Sequence, residues 1–251
     1  MMKILFDSYN PKFLKKIKPK IGLVALSSDY TIEKDFNRIC LNLPMDLFVN
    51  RIPFQNPMNK KNYLKMIGYL TNIANDILPG ETINTVAYAC TSGTIAIGEK
   101  KIKKNIQKAK PNCYVTTPIT AAVKALKKLK LKKISVFTPY PQRVNETVYN
   151  HLINKGIKIV KFGSYNLDSD LDVGKVDPVS LFKTILKMNH NEAEAIFVSC
   201  TALPILEIIG KVEKIIKKPV LSSNQVLIWD CLRSVKINSR INNYGKLFKE
   251  L

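Results

Sequence analysis

The sequence predicts an α/β protein with parallel sheets, built by internal duplication. Three observations carry this. Strand-like and helix-like segments alternate along the chain, the pattern of parallel strands joined by right-handed crossovers. Most strand candidates are short continuous apolar runs, as suits a sheet covered on both faces. And one pattern occurs twice: an apolar run ending in Cys-Thr, a helical segment, a proline, then a strand ending in hydroxyl residues. The two Cys-Thr pairs, Cys90-Thr91 and Cys200-Thr201, lie 110 residues apart, too long a period for a solenoid. Each half would deliver one cysteine to a shared site.

Residues 1–20 read as a loose, lysine-rich leader with Pro11 and Pro19. Residues 21–26 (IGLVAL) form a buried-strand candidate ending in Ser27-Ser28-Asp29-Tyr30, and Thr31 precedes a helix reading IEKDFNRIC. Asp46–Ile52 is the next strand, ending near Arg51; a Pro/Asn loop leads to a helix over 63–77, broken by Pro79-Gly80. Strand Thr85–Ala89 delivers Cys90, and a helix over 95–109 follows. After Pro111 comes a strand ending at Thr116-Thr117, then a helix over 121–131, a strand over 134–138 ending in Pro139-Tyr140-Pro141, and a helix over 144–155 stopped by Gly156. A strand over 157–162, a loop rich in Asp and Asn over 163–177 and a helix over 178–188 precede the second cysteine strand. Its helix over 203–216, the Pro219 strand ending in Ser222–Gln225 and a last helix through Trp229 complete the chain.

The 251 residues suffice for two modest domains, divided as 1–115 plus 219–251 (with Cys90) and 116–218 (with Cys200). No apolar run approaches the roughly 18–20 residues that span a bilayer, and the N-terminus lacks a signal-peptide core, so the cytoplasm is the expected address and no membrane partner is expected. Five cysteines without CxxC spacing argue against a disulfide framework or a zinc site. The two histidines, His151 and His190, fall in polar helix-end contexts and read as surface residues, leaving little material for a Ser-His-Asp or Cys-His mechanism. A net charge of +21 invites a nucleic-acid reading. Yet 35 of the 40 basic residues are lysines at helical spacing between apolar residues, as in GEKKIKKNIQKAK, which describes solvated helix faces. No nucleic-acid partner is expected, and a homo-oligomer is left open.

In parallel sheets, ligands bind beyond the C-terminal strand ends. Ser27–Tyr30, Arg51, Cys90–Ser92, Thr116-Thr117, Tyr140, Cys200-Thr201 and Ser222–Gln225 all fall there. Cys40, Cys113 and Cys231 read as small buried hydrophobes. Cys90 and Cys200 would each stand at a helix N-terminus, where the dipole and free N–H groups favour a thiolate; with the Thr91, Ser92 and Thr201 hydroxyls, these groups can also hold a carboxylate. Two thiols facing across a small substrate permit proton removal from one face and delivery to the other, or thiolate addition to an alkene, rotation and elimination. Neither route requires a metal or cofactor, and no GxGxxG or P-loop occurs.

The stretches IGLVALSSDYTIEKDF, NRIPFQNP, VAYACTSGT, VFTPYPQRVNE and VSCTALPILEIIGKVEKIIKKPVLSSNQVLIWDCLR, together running from about residue 21 to 235, resemble the aspartate/glutamate racemase superfamily. The resemblance is strongest to its branch of maleate cis-trans isomerase, arylmalonate decarboxylase and the ectoine-utilisation protein A group. It implies two pseudo-symmetric Rossmann-like subdomains with the active site in the cleft between them, a cofactor-independent isomerase, racemase or decarboxylase, and a small carboxylate substrate; the alternative is a non-catalytic anion- or nucleic-acid-binding protein that kept the fold, against which the two intact cysteines argue. It assigns catalysis to Cys90 and Cys200 and carboxylate binding to Thr91, Ser92, Tyr140 and Thr201. Decarboxylase members have glycine at the first cysteine, so Cys90 argues against simple decarboxylation. Isomerase members carry Asn where this chain has Asp29. An ionised Asp29 would repel a carboxylate, so it either caps the following helix or meets a cationic or hydrogen-bond-donating group of an amino-acid-like substrate.

Overall fold

The structure is a computed structural model that describes residues 8–249; residues 1–7 of the expected leader lie outside the described residues, and 8–19 form no helix or strand. Two four-stranded, wholly parallel sheets follow. The first contains β1 (Lys20–Leu26), β2 (Asp46–Ile52), β3 (Thr85–Ala89) and β4 (Tyr114–Thr116), in the order β2-β1-β3-β4. The second contains β5 (Lys133–Thr138), β6 (Lys158–Ser164), β7 (Ala195–Val198) and β8 (Val220–Ser222), in the order β6-β5-β7-β8. The orders are the same, and each cysteine follows the third strand of its sheet. The duplication read from the Cys-Thr echo is therefore a duplication of topology.

Central strands β1, β3, β5 and β7 are buried nearly throughout, which suits their largely apolar composition; the edge strands β2 and β6 are mostly half-buried. One continuous apolar core joins both sheets. Helices α1 (Ile32–Cys40), α2 (Lys60–Lys65), α3 (Ile67–Asn75), α4 (Thr91–Ile97) and α5 (Glu99–Ala109) belong to the first half in sequence. They are followed by α6 (Pro118–Lys128), α7 (Gln142–Asn154), α8 (Asp170–Val173), α9 (Pro178–Lys187), α10 (Leu206–Ile216) and α11 (Ser223–Ser234). On α5 and α6 the apolar stripe (Ile102, Ile106; Ala121, Ala125, Leu126) is buried while Lys101, Lys103, Lys104, Lys127 and Lys128 face solvent, as the helical spacing predicts. Among the described residues, no helix is long and apolar enough to cross a membrane.

Several expectations need correction. The helix expected over 63–77 is two, α2 and α3, meeting at Met66; the helix after Cys90 starts earlier, at Thr91, and is broken at Gly98, whose φ of +94° no helix accommodates. The domain boundary at 219 falls one strand early, because β8 pairs with β7 and so belongs to the second sheet. The helix after it, α11, does cross to the first half, packing on β3, β4 and α1 and against α6. Both histidines are half-buried rather than exposed.

Candidate active site

Cys90 ends β3 and is the N-cap of α4: its backbone is extended, and its sulfur accepts the Gly93 N–H at 3.2 Å. Gly93 is required there, since a Cβ would sit 2.7 Å from the Cys90 sulfur and 2.8 Å from Met66 Cε. Cys200 follows β7, but the helix expected immediately after it begins only at Leu206, with a bend between. Only one of the two cysteines stands at a helix N-terminus. The Ala202 N–H and the Tyr140 phenol are the groups that favour the Cys200 thiolate against burial. Both cysteines are 3% exposed.

The two halves interlock through the residues beside the cysteines. Thr91 Oγ1 pairs with Ser223 Oγ at 2.9 Å, and the same Ser223 oxygen accepts the Cys200 N–H at 3.0 Å. Thr201 Oγ1 donates to the Ala89 carbonyl at 3.3 Å, and Thr31 Oγ1 to the Ala202 carbonyl at 2.8 Å. So the residue before Cys90 touches the residue after Cys200, and the residue after Cys90 shares a hydroxyl with Cys200. Of the hydroxyls expected to hold a carboxylate, Thr91 and Thr201 are engaged in this seam. Ser92 acts on both the Cys90 thiol and the Tyr63 phenol, lowering each against burial. Thr116, Thr117 and Ser222, also expected near the site, serve elsewhere: Thr116 donates to Asp230, Thr117 caps α6, and Ser222 with Gln225 forms the capping box of α11.

Asp29 takes the capping role its sequence position allowed. Its Oδ1 accepts the N–H groups of Thr31 (2.7 Å) and Ile32 (3.0 Å), so Asp29, not the Thr31 side chain, supplies the cap of α1. The Thr201 hydroxyl, which donates to the Ala89 carbonyl, also acts on this carboxyl; among the described residues Asp29 Oδ2 is buried without a hydrogen-bond partner of its own. Two further groups escaped the sequence reading. Tyr63 on α2 has a buried hydroxyl with no hydrogen-bond partner among the described residues, and both cysteines act on it electrostatically. Asp170, at the start of α8, is 4% exposed, accepts from Ser28 Oγ at 2.7 Å, acts electrostatically on both thiols, and is itself acted on by Asp29. Its loop is fastened to the first half: Asp170 N–H donates to Asn56 Oδ1 at 2.9 Å, Met58 N–H to the Asp168 carbonyl at 2.8 Å, and the Tyr30 ring covers Gly174 so closely that a Cβ there would lie 2.3 Å away.

Electrostatics correct the expectation of ready thiolates. Burial pushes the Cys90 thiol up to about 12, outweighing the Gly93 N–H, and pushes Cys200 well above the ordinary thiol range. Burial likewise raises Asp170 to about 7, with Asp29 adding to the effect, and raises Asp29 itself against its two capping N–H groups. The arrangement is a buried pair of thiols, one from each half, with Ser92 acting on Cys90, Tyr140 on Cys200, and the Asp29 and Asp170 carboxyls on both.

The chain matches the model of the arylmalonate decarboxylase family over residues 55–248. A maleate isomerase of Alcaligenes faecalis is 23% identical over 241 residues, covering 91% of this chain and 95% of that protein. A mutant of the Nocardia farcinica maleate cis-trans isomerase, solved with a covalently bound succinylcysteine intermediate, superposes with a TM-score of 0.85 at 18% identity, covering 93% of this chain and 99% of that one. A variant of the maleate isomerase Iso from Pseudomonas putida S16, solved with maleate, gives 0.84 at 21% identity over 92% and 98%. The chain belongs to the arylmalonate decarboxylase family, in the superfamily branch its motifs indicate, and is an enzyme akin to that family's isomerase members.

Proposed function

We propose that the protein is a cofactor-independent isomerase acting on a small carboxylate, with Cys90 serving one side of the substrate and Cys200 the other. The observation that carries this reading is that two buried thiols, one from each half, are brought together through one Ser223 hydroxyl, which accepts the Cys200 N–H and pairs with Thr91 beside Cys90. The reaction needs one thiolate and one thiol. In proton transfer, the thiolate takes the proton from the reacting carbon, and the opposite thiol donates its own to the other face; one thiol and one thiolate are left, exchanged. In addition–elimination, the thiolate adds to an alkene carbon, and the electron pair moves to the neighbouring carbon. The C–C bond then rotates, and the thiolate leaves as the alkene re-forms. The succinylcysteine of the Nocardia relative is the kind of adduct the second route leaves once that neighbouring carbon is protonated.

Cys90 is the better candidate for the thiolate. Its sulfur already accepts a backbone N–H at the start of α4, which lowers its pKa against burial. Tyr63 and Ser92 offer donors for a substrate carboxylate on the Cys90 side, and Tyr140 on the Cys200 side. A screen of C4 and C5 diacids and amino acids, followed by proton NMR, tests the reading. The wild type should convert one compound to its stereoisomer or geometric isomer, and the Cys90→Ala/Cys200→Ala variant should not. Release of CO2 instead would make the protein a decarboxylase, and turnover by the double variant would remove the thiols from the mechanism.

A further inference from the structure

We infer that Asp35 is a positioning residue for Cys200, acting through Asn224 on the bend that presents this cysteine. The two cysteine turns are supported differently. The Cys90 turn leans on its own helix: the Cys90 carbonyl accepts the Thr94 N–H at 3.0 Å and the Thr94 hydroxyl at 2.6 Å. The bend after Cys200 has no helix until Leu206, and both Thr201 and Ala202 are buried. Buried carbonyls require donors. Here the donors are side chains distant in sequence. Asn224 Nδ2, on α11, donates to the Thr201 carbonyl at 2.8 Å, and Thr31 Oγ1, just before α1, donates to the Ala202 carbonyl.

The Asn224 amide holds Thr201 only while its nitrogen faces that carbonyl, and Asp35 fixes this orientation. The same Nδ2 donates to Asp35 Oδ2 at 2.7 Å, so one amide nitrogen lies between two acceptors. Turning the amide over would set its oxygen against both. Among the described residues Asn224 Oδ1 has no partner, so the two acceptors alone orient the amide. Asp35 reaches Asn224, 189 residues away, because α1 packs on α11. The packing of α1 does not ask for a carboxyl at this place. Asp35 is 2% exposed and lies among Ile32, Phe36 and Ile39, the buried apolar residues of the helix. Among the described residues its carboxyl forms one hydrogen bond, from Asn224, and no salt bridge; Arg38 pairs with Glu207 instead. Glu33 already supplies an acidic group to the first turn of α1. A buried carboxyl without a counter-ion costs stability that an apolar residue would not. The orientation of Asn224, and through it the Cys200 bend, accounts for its presence.

The inference rests on the isomerase reading only where turnover is measured; the hold on Cys200 is read separately by alkylation. Asp35→Leu, Asn224→Leu and their double variant are compared with the wild type near pH 8, with iodoacetamide labelling of the folded proteins mapped peptide by peptide. In Asp35→Leu the loosened bend admits the reagent, and Cys200 should be labelled at least about threefold faster. Cys90, and Cys40 at the end of α1 itself, should keep their wild-type rates. On the best substrate of the screen, kcat should fall at least about tenfold with KM within about threefold, because Asp35 acts on the placement of a thiol and not on binding. Asp35→Asn keeps an acceptor oxygen and should restore most of both properties. The double variant should be no worse than Asn224→Leu, since both changes act through one amide. Should Asp35→Leu fail to fold, Asp35→Ala carries the same expectations. An unchanged Cys200 rate, labelling of Cys40 that rises in step with Cys200, Asp35→Asn as impaired as Asp35→Leu, or additive losses in the double variant overturns the inference. If no compound is isomerised, the proposed function falls, and the labelling pattern still decides the role of Asp35.

Discussion

Cys90 and Cys200 follow equivalent strands of equivalent sheets, yet their surroundings differ. Cys90 caps a helix through its own sulfur, and the helix's third residue must be glycine to let the sulfur in. Cys200 sits in a bend, its backbone N–H held by Ser223 from α11 and its thiolate favoured by the Tyr140 phenol. Duplication therefore preserved the sheet and the thiol but not the turn that presents it. An isomerase needs that asymmetry, because at any instant one thiol must be ionised and the other not. Two identical environments would leave the choice to the substrate alone.

The largest effect expected of this difference is chemical. Iodoacetamide should abolish activity, with peptide mapping finding Cys90 carboxymethylated at least about threefold faster than Cys200, and bound substrate should protect both. Equal rates would break the comparison. Dialysis against EDTA should leave activity unchanged. Next in size is Gly93→Ala. The added methyl overlaps both the Cys90 sulfur and Met66, so kcat should fall by more than tenfold and stability by about 1–3 kcal/mol. A variant of full activity would mean that the Cys90 turn is not what positions the sulfur.

Ser223→Ala sharpens the comparison from the other side. It leaves the Cys200 N–H and the Thr91 hydroxyl without their shared partner, and should cost about 1–3 kcal/mol in chemical denaturation, whereas Thr91→Val removes one hydroxyl and should cost about 1 kcal/mol. Equal losses would show that the Cys200 N–H does not depend on Ser223. The smallest effect concerns pH. Asp170 and Asp35, both raised by burial to about 7, hold their protons more tightly folded than unfolded, where carboxyls titrate near about 4. Their contribution to stability is complete below about pH 4 and is lost as the pH rises to about 7. Melting temperature should therefore fall between pH 5 and pH 8 in the wild type and fall less in Asp170→Asn. A parallel decline in the two proteins would mean that Asp170 is not raised.

The sheets were readable because continuous apolar runs and the repeated Cys-Thr pattern are local signals, and both cysteines could be named on that basis. The two capping boxes were readable too: Thr117 with Thr120 and Ser222 with Gln225 are three residues apart at helix starts, which would have excluded these hydroxyls from the site. Asp170 was not readable. It lies in a loop with Asn166, Asp168 and Asp172, and what singles it out is contact with Asn56 and Ser28, more than a hundred residues away. Tyr63 carried no signal either, since a tyrosine on the apolar side of a helix is ordinarily core. The bend after Cys200 was hidden by the likeness of LPILEIIGKVEKII to an uninterrupted helix, although Pro204 marks the interruption.

The most direct measurement is turnover of the single variants Cys90→Ala and Cys200→Ala on the best substrate of the screen, followed by NMR in D2O beside Cys40→Ala and Cys113→Ala as controls. If the two thiols serve opposite sides of one substrate, each active-site variant should lose isomerisation by at least about 10²-fold while the controls stay near wild type. Near-wild-type isomerisation by either Cys90→Ala or Cys200→Ala would contradict the two-thiol site.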